Sequence, residues 1–213
     1  MTMPSRVLAV SAHFDDAELG CGGTLARHAR SGDEVWLYVA TRSSFQDLRG
    51  RSLRTADVAR AEGRKAARIL GAELVEGRFE TFALAYDDEL VSTVRRMIEE
   101  REIDTLYLPW TGDAHQDHRA LGRAAITAGR HCPRILMYRS NYYDTEDVFA
   151  PRHYVDTSRT MATKLRALAA HASEMKRTGG KWLEYVRQSD RNTGIKLGVK
   201  YAEGFEAVRY LVR

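Results

Sequence analysis

Residues 6–32 read RVLAVSAHFDDAELGCGGTLARHARSG and contain the change of pattern that decides the fold. Arg6–Ala12 is a short apolar run rich in branched residues, which is typical of a buried β-strand. Polar residues and glycines follow it, and Gly22–Ser31 has the composition of a helix that Gly32 ends. The stretch predicts a buried strand, a glycine-containing turn and a helix, which together form the first unit of an α/β sheet.

The same alternation continues along the chain. Small and apolar residues with helical spacing predict a helix from about Leu53 to Leu70, and Asp87 or Asp88 can cap the next one. Further apolar runs predict strands over Glu34–Thr41, Thr105–Pro109 and Arg134–Tyr138. Strands separated by helices favour right-handed crossovers, so we expect a single Rossmann-like α/β domain over 1–213 with a mostly parallel sheet and helices on both faces.

The last third of the chain is less regular. Its spacing predicts helices over Met161–His171 and Lys181–Gln188 and a final strand over Glu206–Val212, so we expect an extended C-terminal segment. The stretch Arg139–Arg159 is polar and aromatic without a clear period and predicts a long ordered loop. Because loops at the carboxyl ends of parallel strands line ligand sites, its aromatic residues fit a sugar-stacking wall and core packing equally well.

Composition excludes several classes of protein. The chain has 213 residues, with 33 Lys and Arg against 29 Asp and Glu, so the net charge is +4. This modest, interspersed charge argues against nucleic acid as a partner. No signal peptide pattern or membrane-spanning apolar run occurs, and two distant cysteines, Cys21 and Cys132, exclude a disulfide scaffold. We expect a cytoplasmic protein, and the sequence leaves a homo-oligomer open.

Two groups of metal-ligating residues follow two predicted strands. His13, Asp15 and Asp16 come directly after the first strand, and His115-Gln116-Asp117-His118 follows Thr105–Pro109. Because parallel strands end at the same edge of a sheet, the two groups should lie together. Buried adjacent carboxylates are costly unless a cation offsets their repulsion. His13, one of the two adjacent aspartates and one of the two later histidines supply the three ligands of a catalytic zinc site.

Other interpretations of these motifs are weaker. Gly20-Cys21-Gly22-Gly23 does not match the dinucleotide pattern Gly-x-Gly-x-x-Gly, and no acidic residue ends the second strand to hold a ribose. Cys21 is better explained by packing than by nucleophilic catalysis. A solvated helix face accounts for the stripe of Arg60, Arg64 and Arg68.

Five segments of the sequence resemble the LmbE-like or PIG-L-like family of zinc-dependent N-acetylglucosaminyl deacetylases. Ser11–His28 is similar to its Ala-His-Pro-Asp-Asp-Glu signature, and His115–His118 matches its His-x-Asp-His signature. Similarity extends to Ala59–Gly71, to the HASE segment His171–Glu174 and to the YAEGF segment Tyr201–Phe205. The resemblance therefore spans nearly the whole chain.

The resemblance implies a role for each matching residue. His13, Asp16 and His118 would bind zinc, for which iron or cobalt can substitute, and Asp15 would be the general base. His115 would stabilise the oxyanion or assist the leaving amine, and Asp117 would orient a histidine. Phe14 stands where the family has proline, and Ala17 stands where it usually has glutamate, with Glu18 next to it.

These observations together predict a reaction and its alternatives. We expect a zinc-dependent hydrolase that removes acetyl from an N-acetylated amino sugar of the N-acetylglucosamine type. The alternatives are an amidase that cleaves a larger acyl group from a thiol-sugar conjugate and a metal-retaining sugar-binding module without turnover. Arg42 and Arg49 follow a strand at the same sheet edge, so we expect them to bind an anionic group on the substrate.

Overall fold

The structure, a computed structural model, describes residues 3–212 and contains one seven-stranded sheet flanked by helices. The elements in chain order are β1 (Arg6–Ser11), α1 (Asp16–Arg30), β2 (Glu34–Thr41), β3 (Phe45–Gln46), β4 (Ser52–Arg54), α2 (Ala56–Leu70), β5 (Glu73–Phe79), α3 (Asp88–Glu100), β6 (Thr105–Pro109), α4 (Gln116–Ala128), β7 (Arg134–Tyr138), β8 (His153–Asp156), α5 (Met161–Ala169), α6 (Ala172–Thr178), α7 (Lys181–Lys196) and β9 (Ala202–Tyr210).

The sheet is mostly parallel, which confirms the predicted fold class. Its strand order is β5-β2-β1-β6-β7-β9-β8, and the first five of these strands are parallel to one another. The last two strands, β9 and β8, are antiparallel to their neighbours. The connection from β1 runs outward to β2 on one side, and the chain later returns to β6 on the other. This reversal places a crevice between the carboxyl ends of β1 and β6.

Helices cover both faces of the sheet. Val7 and Ala9 of β1 pack in one apolar cluster with residues of α1, α2 and α5, whereas Leu8 and Val10 pack in a second cluster with residues of α3 and α4. Successive side chains of a strand point to opposite faces, so these two clusters are the two sides of the sheet. Among the described residues no helix combines the length and apolarity needed to cross a bilayer.

The glycines near the N-terminus do not form the predicted turn. Helix α1 begins at Asp16 rather than at Gly22, so these glycines lie inside the helix. A Cβ at Gly20 would lie 2.2 Å from the ring of Tyr138, and one at Gly23 would lie 2.8 Å from Thr157. The glycines therefore allow α1 to pack closely against β7 and the segment after β8. The prediction of a turn was wrong because close packing and turns both require glycine.

Several other elements and boundaries differ from the prediction. The segment after β2 forms a small hairpin of β3 and β4, and α2 begins at Ala56, where the side chain of Thr55 accepts a hydrogen bond from the N–H of Val58. Strand β5 was not predicted, and β8 lies inside the stretch that we expected to be a loop. In the C-terminal third, α6 separates α5 and α7, and the final strand begins at Ala202.

Candidate metal centre and cavity

The predicted site residues meet at the carboxyl ends of three adjacent strands. His13, Asp15 and Asp16 follow β1, and His115–His118 begin α4 shortly after β6. The segment after β7 adds Ser140 and Asn141 to the same edge. Parallel pairing of β1 with β6 and of β6 with β7 places these three segments side by side.

Three potential ligand residues, His13, Asp16 and His118, converge on one point. Nδ1 of His13 lies 3.2 Å from Nε2 of His118. Oδ1 of Asp16 lies 3.1 Å from the same Nε2 of His118, and Oδ2 of Asp16 lies 3.4 Å from the same Nδ1 of His13. Tetrahedral zinc with bonds of about 2.0–2.1 Å separates its ligands by about 3.3 Å. Two imidazoles and one carboxylate at these spacings fit a catalytic zinc site with one position open.

The other ring nitrogen of each of the two histidines contacts a second carboxylate. Nε2 of His13 lies 3.0 Å from Oδ2 of Asp117, and Nδ1 of His118 lies 3.2 Å from Oδ2 of Asp113. Carboxylates in this position fix the orientation of metal-binding histidines and raise their basicity. Asp117 accepts backbone hydrogen bonds from Phe82 and Leu84, and Asn141 donates to Asp113. The sequence analysis did not identify Asp113.

The carboxylates give the site a strong preference for positive charge. Burial opposes protonation of His13 and His118, but hydrogen bonds and charges of Asp117, Asp16 and Asp113 outweigh it and raise their pKa values to about 9 and about 10. Burial also opposes ionisation of Asp16, yet His118 and His13 hold its pKa well below the usual range. A divalent cation bound by these atoms would satisfy the same electrostatic demand.

His115 has a different environment. It precedes α4, and its Nδ1 accepts a hydrogen bond from the backbone N–H of Asp117 at 3.1 Å. Burial and the neighbouring His13 and His118 lower its pKa to about 4, so the ring is neutral and carries its proton on Nε2. His115 also forms a potential metal-binding cluster with His13 and His118, whose ligand atoms lie within 4.8 Å of one another.

Asp15 lies beside the convergent atoms in a strained backbone conformation. Its φ of 127° falls in a region that non-glycine residues rarely adopt, and its side chain is buried. Arg54 donates a hydrogen bond to Oδ2 of Asp15 at 3.0 Å. Burial raises the pKa of Asp15 to about 7, although the Arg54 guanidinium lowers it. Asp15 can therefore exchange a proton near neutral pH, which Asp16 cannot.

These groups line a cavity of about 470 Å³. Its wall includes His13, Asp15, Asp16, His115 and His118. Five aromatic residues also line the cavity. Tyr142 and Tyr143 come from the stretch that we expected to be a loop, and the other three are Phe45, Phe82 and Trp182. The cavity thus combines a polar base with a wall that is aromatic in part.

The two arginines predicted to bind substrate lie elsewhere. Arg42 Nε is 3.4 Å from Oε1 of Glu80, and Arg49 is exposed on the turn between β3 and β4. Neither side chain lines the cavity, whereas Arg54 and Arg177 do. Cys21 is fully buried in the apolar core, as its packing role predicts.

Sequence comparison identifies relatives across the chain. A sequence profile described as "PIG-L: GlcNAc-PI de-N-acetylase" matches residues 8–129. The uncharacterized deacetylase YaiS of Escherichia coli K12 is 33% identical over 176 residues, covering 78% of this chain and 90% of the relative. The diacetylchitobiose deacetylase of Thermococcus kodakarensis is 27% identical over 225 residues, covering 95% of this chain and 83% of that protein.

Solved structures share the whole fold. The N,N'-diacetylchitobiose deacetylase of Pyrococcus horikoshii matches with a TM-score of 0.80 and 25% identity, over 96% of this chain and 84% of that one. The 4-carboxy-2-hydroxymuconate hydratase GalB of Pseudomonas putida matches with a TM-score of 0.83 and 19% identity, over 99% and 98%. At 19% identity the likeness shows the fold alone, so the reaction is argued from the sequence relatives and the side chains.

Proposed function

The chain belongs to the PIG-L (LmbE-like) deacetylase family, and we propose that it is a metal-dependent hydrolase that removes the acetyl group from an N-acetylated amino sugar. One observation carries the proposal. The ligand atoms of three residues, His13, Asp16 and His118, converge at spacings of 3.1–3.4 Å beside the buried carboxyl of Asp15, whose pKa of about 7 suits proton transfer. The products would be acetate and a free amine.

We propose His13, Asp16 and His118 as the metal ligands and zinc as the ion. A bound zinc ion would polarise the acetamide carbonyl and acidify a water molecule. His115 is the competing third ligand, because its ring belongs to the same histidine cluster. Asp16 is favoured because its Oδ1 lies 3.1 Å from Nε2 of His118 and its Oδ2 lies 3.4 Å from Nδ1 of His13. Its negative charge also offsets the charge of a divalent ion. Iron or cobalt would fit the same mixed ligands.

The remaining groups have distinct roles in the proposed reaction. Asp15 would take a proton from the attacking water and deliver one to the departing nitrogen. The Nε2–H of His115 would donate a hydrogen bond to the oxygen that gains charge, and loss of such a donor typically costs about 10²–10³ in rate. Asp117 would hold the ring of His13, which it contacts at 3.0 Å, and Asp113 would hold His118 in the same way.

The cavity supports an amino sugar with a further group attached. Aromatic side chains provide flat apolar surfaces against which sugar faces can lie. A cavity of about 470 Å³ lies in the range for small-molecule sites and accommodates more than the acetamide alone. An acyl group larger than acetyl on a thiol-sugar conjugate remains the alternative substrate. The binding of an anionic substituent by Arg42 and Arg49 also remains a prediction.

A substrate panel tests the proposed activity. The zinc-loaded protein is incubated with N-acetylglucosamine, its glycosides, its phosphates and thiol conjugates, and acetate and free amine are both measured. We expect equal amounts of the two products from at least one N-acetyl substrate. Release of a larger acid from the conjugates would favour the amidase. Saturable sugar binding without either product would favour the binding module.

The same panel tests the arginines. If Arg42 or Arg49 binds an anionic substituent, the wild type prefers phosphorylated sugars, and Arg42→Ala or Arg49→Ala removes that preference. An unchanged preference in both variants would assign these side chains to the solvated surface.

A single domain over 1–213 and a cytoplasmic location stay predictions; Met1, Thr2 and Arg213 lie outside the described residues.

A further inference from the structure

Arg54 is an almost fully buried arginine at the edge of the cavity. Its side chain is 2% exposed, and it reaches Asp15 from the end of β4. Nη1 donates hydrogen bonds to Oδ2 of Asp15 at 3.0 Å and to the backbone carbonyl of Phe14 at 3.1 Å. One guanidinium nitrogen therefore holds both the carboxylate and the peptide that precedes it, at the residue whose φ is 127°.

The other end of the guanidinium is held by two residues. Nη2 donates to Oε2 of Glu62 at 3.1 Å and lies 3.2 Å from Nδ1 of His171. A guanidinium can only donate, so Nδ1 of His171 accepts and the ring proton lies on Nε2. That nitrogen lies 3.1 Å from Oε1 of Glu18, which accepts a hydrogen bond from it. The chain of hydrogen bonds thus runs from Glu18 through His171 and Arg54 to Asp15.

This network gives a role to two features that the proposed reaction does not use. His171 and Ser173 belong to the HASE segment, and Ser173 donates backbone and side-chain hydrogen bonds to Glu62. Glu18, next to Ala17 in the first signature, points to His171 and is not among the convergent ligand atoms. Glu18, His171, Arg54 and Asp15 are buried, and burial of these four groups would be costly without this mutual pairing.

We infer that Arg54 is the positioning residue for Asp15, and that His171 and Glu62 fix its guanidinium in the required plane. The inference rests on the proposed function, because it assumes that Asp15 handles the proton. A strained backbone conformation persists only when surrounding contacts over-determine it, and the two bonds from Nη1 do so here. Arg54 would then govern the rate of the chemical step more than the affinity for substrate.

The expected effect is a loss of kcat with little change in KM. A displacement of about 1 Å in a catalytic group can cost about 10²-fold in rate. We expect Arg54→Ala to lower kcat by about that factor, to change KM by less than about threefold, and to retain the metal. Arg54→Lys keeps the charge but cannot reach all four partners, so we expect it to fold and to lose about tenfold in kcat.

Rescue by an added ion separates positioning from a purely structural role. Free guanidinium at millimolar concentration should restore part of the kcat of Arg54→Ala, and ethylammonium should not, because only the planar ion can bond to Asp15 and Glu62 together. The matched control is Arg64→Ala, since Arg64 also pairs with a glutamate, Glu76, but lies on the surface. The control should keep wild-type kcat and show no response to guanidinium.

The outcomes distinguish this inference from the proposed function. No acetate release by the wild type from any N-acetyl substrate would refute the function itself. An active wild type with Arg54→Ala and Arg54→Lys within about threefold of its kcat, or with changes confined to KM, would overturn the positioning role. Nitrogen-15 NMR of the wild type supplies a readout without turnover. Burial opposes protonation of His171, but Glu18 outweighs it and raises the pKa of the ring, so the spectrum is recorded at a pH high enough for the ring to be neutral. The neutral ring should carry its proton on Nε2, and a neutral ring with its proton on Nδ1 would contradict the network.

Discussion

The buried polar cluster around Lys164 and the cluster of His13, Asp16 and His118 differ, because only the second faces the cavity. Lys164, which is fully buried, pairs with Asp190 at 2.8 Å and with Glu203 at 2.6 Å. Glu203 also accepts hydrogen bonds from the backbone of Gly23 and from Thr24, and neither acid nor the lysine lines the cavity. This cluster, the Lys164 cluster, joins α1, α5, α7 and β9. Its charged groups pair with one another and with hydrogen-bond donors of α1.

The cluster of His13, Asp16 and His118 is arranged differently. In this cluster Nδ1 of His13 lies beside Nε2 of His118, so the two nitrogens do not each face an acid alone. Both rings border the cavity. A charged cluster that completes its own pairing stabilises the fold, whereas one whose donors converge on a common point requires something to bind there. Burial and charge therefore do not identify a site by themselves; convergence of ligand atoms at a cavity does.

The largest expected effect is on the convergent cluster. His118→Ala removes a proposed ligand, so bound metal should fall to background and turnover below detection while the fold persists. Asp16→Asn should also impair metal retention, because a neutral amide is the weaker ligand. Elemental analysis with circular dichroism checks both. Stoichiometric metal in Asp16→Asn, together with metal loss in His115→Ala, would replace Asp16 by His115 in the ligand set. Stoichiometric metal in His118→Ala would contradict the assignment of His118.

Asp15→Asn should lose activity without losing metal. Removal of a general base typically lowers the rate by about 10²–10⁴-fold, and Asp15 is not one of the convergent ligands. Elemental analysis and kcat measured on the same preparation test this separation. Equal metal loss in Asp15→Asn and Asp16→Asn would contradict the division of roles between the adjacent aspartates.

The Lys164 cluster should respond in stability and not in metal binding. Lys164→Ala leaves two buried carboxylates unpaired, which is expected to cost about 3–5 kcal/mol in the free energy of unfolding. The exposed Lys196→Ala on α7 is the control and should change it by less than about 0.5 kcal/mol. Urea unfolding measures both, and the folded fraction of Lys164→Ala should keep its metal. Metal loss from folded Lys164→Ala would erase the contrast between the clusters.

A smaller effect is expected at the outer carboxylate. Asp113→Asn should weaken metal affinity by about 10–100-fold, because Asp113 supports His118 through its Nδ1 and does not itself bind the ion. Competition with a chromogenic chelator measures the change. An affinity equal to that of the wild type would mean that Ser140, whose Oγ lies 3.4 Å from Nδ1 of His118, suffices to hold the ring without the Asp113 carboxylate.

The sequence predicted which polar residues meet at the edge of the sheet, although it did not predict every strand. His13, Asp15 and Asp16 follow β1 directly and His115–His118 come shortly after β6, so the order of the chain places both groups at the same edge. Strands β5 and β8 were missed because they are the two edges of the sheet. Edge strands are half exposed and carry polar residues, as Glu73, Glu76 and Arg78 do in β5, so they lack the apolar run of a central strand.

Local sequence patterns also could not identify residues whose roles depend on contacts with distant parts of the chain. Asp113 stands alone in a turn, and its role depends on His118 and on Asn141, which arrives from the loop after β7. Arg54 lies near the start of a predicted helix, and its buried partners Asp15 and His171 are 39 positions before it and 117 positions after it in the chain. The spacing of neighbouring residues carries no signal for such pairings.

The central claim is that this convergent cluster binds one divalent ion on which deacetylation depends. The most direct measurement follows acetate release while the metal bound per chain is varied by removal with a chelator and stepwise return of zinc. We predict that the rate falls to background in the stripped protein and rises in proportion to bound zinc until one ion per chain is reached. Turnover that persists at full rate after the metal is removed would contradict the account.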